Sequence, residues 1–453
     1  MQALRPDFTL PNGQLGILAH AVWPSPTAPL LGPSVVICEG DRIVAVSPIA
    51  ALPSAVAAEA NACLAAANAQ GIVWLATPGL INMHTHLEQH ALAFNPITTP
   101  DDPEAFVDWI LAVVAQQRAQ RALPPEAQQA TMASSVRAGI HACWQYGVTT
   151  VNDIVSSAHG AQVHAEMGMT GAVSLELLAP FDTMAAAVLP RWQETYASMV
   201  AACQGMDTLR VGVSPHSPYN CHPVVWQAFL RTLQQHGLPM PAVAHMHVAE
   251  SLAEQAWLTG QPGPIDRLHQ TLLGQCAPLP QARNEHTAWG ACLAQYAHPA
   301  IAHWVLVHGI QLAPDDIEGI RHSLGTTSWC ACPRSNRALH GHMMHPGIIE
   351  ALGESLVLGT DGCASTPTLN VRAERLPIDS PVQALSRFTT TPAKILGLEK
   401  TLGTLHPHQL ANVVVWSLPL ASSTADLQVA WADGEGTVAL TCARGAVVFQ
   451  TAV

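Results

Sequence analysis

Two imidazoles one residue apart close an apolar run in Pro78-Gly79-Leu80-Ile81-Asn82-Met83-His84-Thr85-His86. Alternate side chains of an extended strand share a face, so His84 and His86 point the same way and suit a single metal ion. The run Ala244-His245-Met246-His247-Val248-Ala249-Glu250 adds a third imidazole, His247, with a carboxylate three residues later, a pairing of ligand and proton carrier. His245 shares the face of His247 but lies deeper, and it reads as a hydrogen-bonded core residue. Trp304-Val305-Leu306-Val307-His308-Gly309 ends an apolar strand on one imidazole, and Leu356-Val357-Leu358-Gly359-Thr360-Asp361-Gly362 sets a carboxylate after a fully apolar run. Singly these have ordinary readings, His308 as a structural histidine and Asp361 as a helix cap. Together, three neutral imidazoles and a carboxylate are a donor set that holds a borderline cation such as Zn²⁺ and leaves a position for water.

Such residues must be carried on a scaffold that gathers strand ends. From Gly71 to about Gly397, short apolar runs alternate with longer Ala/Gln/Leu-rich segments, the pattern of β/α units around a parallel sheet. Eight candidate strands are Gly71-Ala76 leading to His84, Gly147-Asp153, Gly171-Leu177, Leu209-Val213, Ala242-His247, Trp304-His308, Thr326-Cys330 and Ser355-Gly359, the number that a barrel needs. In such a barrel the active site lies at the C-terminal strand ends, where the four polar sites fall. Short β-rich runs between Gly16 and Pro48, split at Gly40-Asp41, and others after Leu410 indicate a second unit. The fold class expected is therefore α/β: a TIM-type (β/α)8 barrel over residues 71–400, with a small composite β-sandwich domain from both termini, residues 1–70 and 401–453.

The chain of 453 residues is long enough for both units, and 49% apolar against 11% charged residues supports a large core. With 19 basic and 32 acidic residues, a net charge of −13 repels a phosphate backbone, so nucleic acid is not an expected partner. No secretory signal or stretch of about 18 apolar residues is visible, so no membrane association is expected and the cytoplasm is the expected location. Eleven cysteines without framework spacing read as buried thiols, the Cys330-x-Cys332 pair included.

In order, Pro78-Gly79 before His84-Thr85-His86, Ser214-Pro215-His216-Ser217-Pro218-Tyr219, His247 with Glu250, His308-Gly309 and Thr360-Asp361-Gly362 resemble the amidohydrolase superfamily, in its mononuclear deaminase and chlorohydrolase branch. The resemblance implies metal ligation by His84, His86, His247 and Asp361, and proton handling by Glu250, His308 and Asp361. It implies one divalent metal, zinc in the first place with Fe²⁺ in some relatives, and places His216 near a small-molecule substrate. Homo-oligomers are common in that family. Binuclear relatives bridge two metals with a carbamylated lysine, but the only lysines here, Lys394 and Lys400, follow Asp361. That bridge and a Schiff-base route are both excluded.

Local features, namely His86-Leu87-Glu88, Trp109 with Arg118, Ala249-Glu250-Ser251 through Glu254 to Trp257-Leu258-Thr259-Gly260, and Cys332-Pro333-Arg334-Ser335-Asn336, look like aminofutalosine deaminases. The chemistry implied is hydrolytic deamination of a purine-like amino-heterocycle, with water activated on the metal as nucleophile and ammonia as leaving group. Glu250 would enter protonated and serve the ring nitrogen, His308 would orient the water, and Asp361 would take its proton. Glu88 is a candidate for a ribose hydroxyl or a plain loop acid, and Arg118 and Arg334 are candidates for a substrate carboxylate or for structural ion pairs. Methylthioadenosine, adenosylhomocysteine or guanine deamination, triazine dechlorination and a catalytically silent barrel remain as alternatives.

Overall fold

The computed structural model describes residues 4–241, 243–276, 280, 288–420 and 423–451, apart from the side chain of Thr424. Its strands in chain order are β1 Asp7–Thr9, β2 Leu15–Ala19, β3 Ala21–Val22, β4 Ser34–Glu39, β5 Arg42–Pro48, β6 Ile72–Pro78, β7 Leu80–Thr85, β8 Val148–Val155, β9 Thr170–Leu177, β10 Leu209–Pro215, β11 Val243–Val248, β12 His303–His308, β13 Thr327–Ala331, β14 Leu356–Leu358, β15 Val413–Pro419, β16 Thr437–Ala443 and β17 Ala446–Gln450. Strands β7 to β14 form one eight-stranded sheet in sequential order, paired in parallel. The candidate fifth strand was drawn from Ala242, a residue outside those described.

The last strand meets the first through an isolated parallel bridge between Thr85 and Asp361, and the N–H groups of Thr360 and Asp361 both donate to the carbonyl of His84 at 3.0 Å. Gly359 permits this approach, because a Cβ there would stand 2.7 Å from the His84 nitrogen and 2.8 Å from Cys330 Sγ. Closing the barrel and bringing Asp361 to His84 are thus one event. The strands are buried nearly end to end, as expected of a parallel sheet covered by helices.

Four strands ordered β1-β2-β4-β5 and five ordered β17-β16-β15-β6-β3 make two further sheets. Ile17, Val35 and Ile43 of the first share a core with Trp74, Val413 and Leu440 of the second, which makes the pair a sandwich built from both ends of the chain. One expectation is corrected here. The run Gly71-Ala76 is not the first barrel strand: β6 lies in the sandwich, antiparallel to β15, and the first barrel strand is β7. The Ala-rich stretch after Leu52 forms a helix over Ser54–Ala69, with Leu64 and Ala67 in the sandwich core.

Arg372 ties the chain after β14 to the C-terminal strands. Its guanidinium donates to the carbonyls of Trp431, Gly434, Glu435 and Gly436 at 2.8–3.3 Å and lies 4.3 Å over the Trp416 ring. Arg372→Leu strands four carbonyls and is expected to cost at least about 3 kcal/mol. Urea denaturation would show a lowered midpoint, and an unchanged midpoint would refute this role.

Candidate metal centre and active site

Four barrel strands deliver polar groups to one mouth. His84 is on β7 and His86 directly follows it, His247 is on β11 with Glu250 two residues past its end, His308 ends β12, and Asp361 follows β14. Among the described residues, five besides glycine have positive φ, and three stand here: Ala249 at 55°, His308 at 74° and Asp361 at 63°. Left-handed backbone costs a residue with a Cβ about 1–3 kcal/mol and persists where surrounding structure imposes it, as is common at active sites.

Ligand atoms of His84, His86, His247 and Asp361 all lie within 4.8 Å of one another, and all four residues are buried. Asp361 Oδ1 is 3.4 Å from Nε2 of both His84 and His86, and Nε2 of His247 is 3.2 Å from that of His84. Ligands about 2.0–2.1 Å from a tetrahedral ion stand roughly 3.3 Å apart, so these spacings fit a metal ion. The ring of His247 donates from Nδ1 to the His216 carbonyl at 2.8 Å, which turns its Nε2 lone pair toward the other donors. Converging lone pairs repel one another, and a cation at their focus relieves that repulsion.

Burial lowers His84 and His86 to about 3, so both rings are neutral near pH 7 and competent as ligands. Burial opposes ionisation of Asp361 as well, but hydrogen bonding to His84 and the nearness of His86 outweigh it and hold the carboxyl well below its usual range. Asp361 Oδ2 is turned away from the imidazoles, accepting from the hydroxyls of Ser335 at 2.8 Å and Ser365 at 2.7 Å.

Glu250 Oε1 stands 3.6 Å from Nε2 of His308 and 3.6 Å from Nε2 of His340. Burial raises its pKa, while positive charge on His308 or His340 lowers it, so the protons of the three groups are coupled. Its backbone N–H donates to Glu254 at 2.8 Å, which fixes its place beyond β11. His308 donates from Nδ1 to Asn336 Oδ1 at 2.7 Å, so the Nε2 facing the site is an acceptor in the neutral ring. Ser335, Asn336 and His340 all come from one eight-residue helix, Pro333–His340.

A cavity of about 330 Å³ opens over these groups, lined among others by Trp109, Arg118, Arg121, Glu176, His216 and Leu268. His216 faces it, with Nε2 4.0 Å from Glu176 Oε1. Glu176, on β9, was not singled out in the sequence; burial raises it to about 7. Arg118 lies at the exposed rim of the cavity. Glu88 sits in an adjoining lobe, where its carboxylate accepts from Ser156 N–H and hydroxyl at 2.9 and 2.6 Å and from the Ser157 hydroxyl at 3.2 Å. Arg334 instead bonds Thr368 at 2.9 Å and lies 3.9 Å from Glu374, as a structural pair. His245 is fully buried beneath the site against Asn152, 3.2 Å away, as its depth implied. Lys394 and Lys400 are exposed, whereas the four donors are buried, and all eleven cysteines are free.

Buried neutral imidazoles make a pH prediction. Burial lowers His84, His86 and His245 to about 3, and His269 and His303 to about 4. Unfolded, each titrates near about 6.5, so between these values the unfolded chain binds protons that the folded chain does not. Their stabilising contribution is complete above pH 6.5 and is lost as pH falls toward 3. Glu176 and Glu374, raised by burial to about 7 and about 8, act in the opposite sense but are fewer. Calorimetry on chelator-treated protein should show the melting temperature falling from pH 6.5 to pH 4, and a flat profile would contradict the assignment.

The pattern of the Amidohydrolase family matches residues 75–448. An aminodeoxyfutalosine deaminase of Deinococcus radiodurans is 27% identical over 316 residues, 66% of each chain, so the match spans just under two thirds of that relative. A 5-methylthioadenosine/S-adenosylhomocysteine deaminase of Desulforudis audaxviator is 24% identical over 405 residues, 84% of this chain and 80% of that one. In fold, the chain is similar to Helicobacter pylori aminofutalosine deaminase, solved with methylthio-coformycin, at a TM-score of 0.72 and 17% identity over 95% of this chain and 99% of that one. Among the described residues no helix is long and apolar enough to cross a membrane. With the family pattern running from β6 to β17 and the donors of a metal centre gathered at one barrel mouth, the chain belongs to the amidohydrolase family, whose members are metal-dependent.

Proposed function

We propose that the protein is a hydrolytic deaminase of a purine-like amino-heterocycle, with aminodeoxyfutalosine the first candidate and methylthioadenosine or adenosylhomocysteine the alternatives. The observation that carries this reading is the focus of four donors beside the separate proton-handling pair Glu250 and His308, beneath a cavity of about 330 Å³. Relatives named as deaminases support it. His84, His86, His247 and Asp361 would hold one divalent ion, and a donor set of three imidazole nitrogens with one carboxylate oxygen favours Zn²⁺. When bound, the ion supplies Lewis-acid activation of water.

The chain's own groups then manage protons. Glu250, entering with a proton, is placed to hand it to the ring nitrogen beside the amine, so that negative charge does not build up there as water adds to the carbon, and to recover one from the added hydroxyl as the carbonyl forms. Asp361 takes a proton from that water and delivers it to the departing ammonia. His308 holds its acceptor Nε2 toward the same region. His216 and Glu176 meet the ring's substituent, and Arg118 and Arg121 act at the mouth. The Glu88 carboxylate, already engaged by Ser156 and Ser157, shapes the lobe wall.

Ammonia release by zinc-loaded protein, measured with aminodeoxyfutalosine, methylthioadenosine, adenosylhomocysteine, adenosine, guanine and an aminotriazine, tests the reading. One strong purine responder supports it. Silence on all purines, or chloride release from a chlorotriazine as the only activity, sinks it.

A further inference from the structure

We propose that His340 is a positioning residue for the proton carrier: its Nε2–H donates to Glu250 Oε1 and holds that carboxyl group aimed for its proton transfers. The inference rests on Glu250 carrying the proton in the deaminase reading above.

Three observations bear on it. First, Oε1 of Glu250 is equidistant, at 3.6 Å, from the Nε2 atoms of His308 and His340, just outside hydrogen-bond range. Active-site contacts of this length commonly tighten when substrate binds. Second, the two imidazoles are not equivalent. Asn336 Oδ1 takes the Nδ1 proton of His308, so in the neutral form of that ring the Nε2 is a lone pair and cannot donate to a carboxylate. The Nε2 atoms of both rings are buried with no hydrogen-bond partner in the structure, but at His340 no acceptor among the described residues holds the proton on Nδ1, and a buried Nε2–H without an acceptor is costly. Glu250 is the acceptor in front of it. Third, the ring is firmly placed. His340 is 4% exposed, packs 5.0 Å from the Phe106 ring, and ends its helix where Gly341 turns left-handed at φ 71°. Its position four residues after Asn336 puts both side chains on one helix face, so a single element sets His308 and Glu250 relative to each other.

Two measurements test the proposal, one needing no substrate. In zinc-loaded protein carrying isotopically labelled histidine, nuclear magnetic resonance should show a proton on His340 Nε2. Its signal should vanish in His340→Gln and move in Glu250→Gln. An Nε2 without a proton, or a signal indifferent to Glu250→Gln, overturns the proposal. In kinetics, on whichever amine the wild type deaminates, His340→Phe keeps a ring against Phe106 but has no N–H. It should lower kcat by about 10–100-fold, the loss of a hydrogen bond to a charged group. KM and zinc content should stay within about twofold of wild type. His340→Gln, whose amide can reach the same oxygen, should restore most of kcat. Full kcat in the Phe variant, or equal loss in both variants, refutes the role. A wild type silent on every amine would sink the deaminase reading, and the resonance result would still decide His340.

Discussion

Glu250→Gln is expected to keep its metal and lose about 10²–10⁴-fold in kcat, the usual contribution of a positioned proton carrier. The side chain lies outside the cluster of four donors, so its replacement leaves their mutual spacing untouched. Its backbone N–H still donates to Glu254, and an amide fills the volume of the carboxyl, so the loop after β11 should hold its shape. What is lost is the oxygen that faces His308 and His340 and can take and return a proton. Metal analysis beside ammonia release checks this. Loss of zinc from the variant would make Glu250 a ligand, and undiminished turnover would remove it from the reaction.

His247→Ala should do the opposite, abolishing turnover by emptying the site. Its Nε2 is one of the four donors and its Nδ1 is the anchor to the His216 carbonyl, so both the ligand and the strand-end contact go. A useful comparison is Ser335→Ala, which removes only one hydroxyl from behind Asp361. Loss of such an outer partner typically costs about 10–100-fold in metal affinity, and His247→Ala should exceed that clearly. Competition with a chelator of known affinity ranks the variants. Affinity ordered the other way, with Ser335→Ala the weaker binder, would contradict the ligand set.

Much of this architecture is legible in the sequence because a parallel barrel imposes a simple grammar: apolar runs buried on both faces, and polar residues where they stop. His84, His86, His247, His308 and Asp361 all obey it, and the structure brings them to one mouth. The same grammar misplaces Ile72–Pro78, since a buried run in a sandwich sheet is as apolar as one in a barrel, and only its pairing with Val413–Pro419 tells them apart. Glu88 is ambiguous in sequence because its partners, Ser156 and Ser157, follow the next barrel strand. His340 is missed for another reason: it reaches the site from the end of a helix, four residues past a motif that was noticed, and the i, i+4 relation to Asn336 is the signal that could have found it. Glu176 follows a strand pattern without ending it, so nothing in its neighbourhood sets it apart from an outward-facing acid.

One ion held by four residues and coupled to hydrolysis is tested most directly by a zinc titration of the metal-free protein, with bound zinc and ammonia release followed together. Both should rise in parallel and level off at one equivalent in the wild type, and neither should rise in His247→Ala. Turnover without metal, a break at two equivalents, or tight stoichiometric zinc in His247→Ala would contradict it.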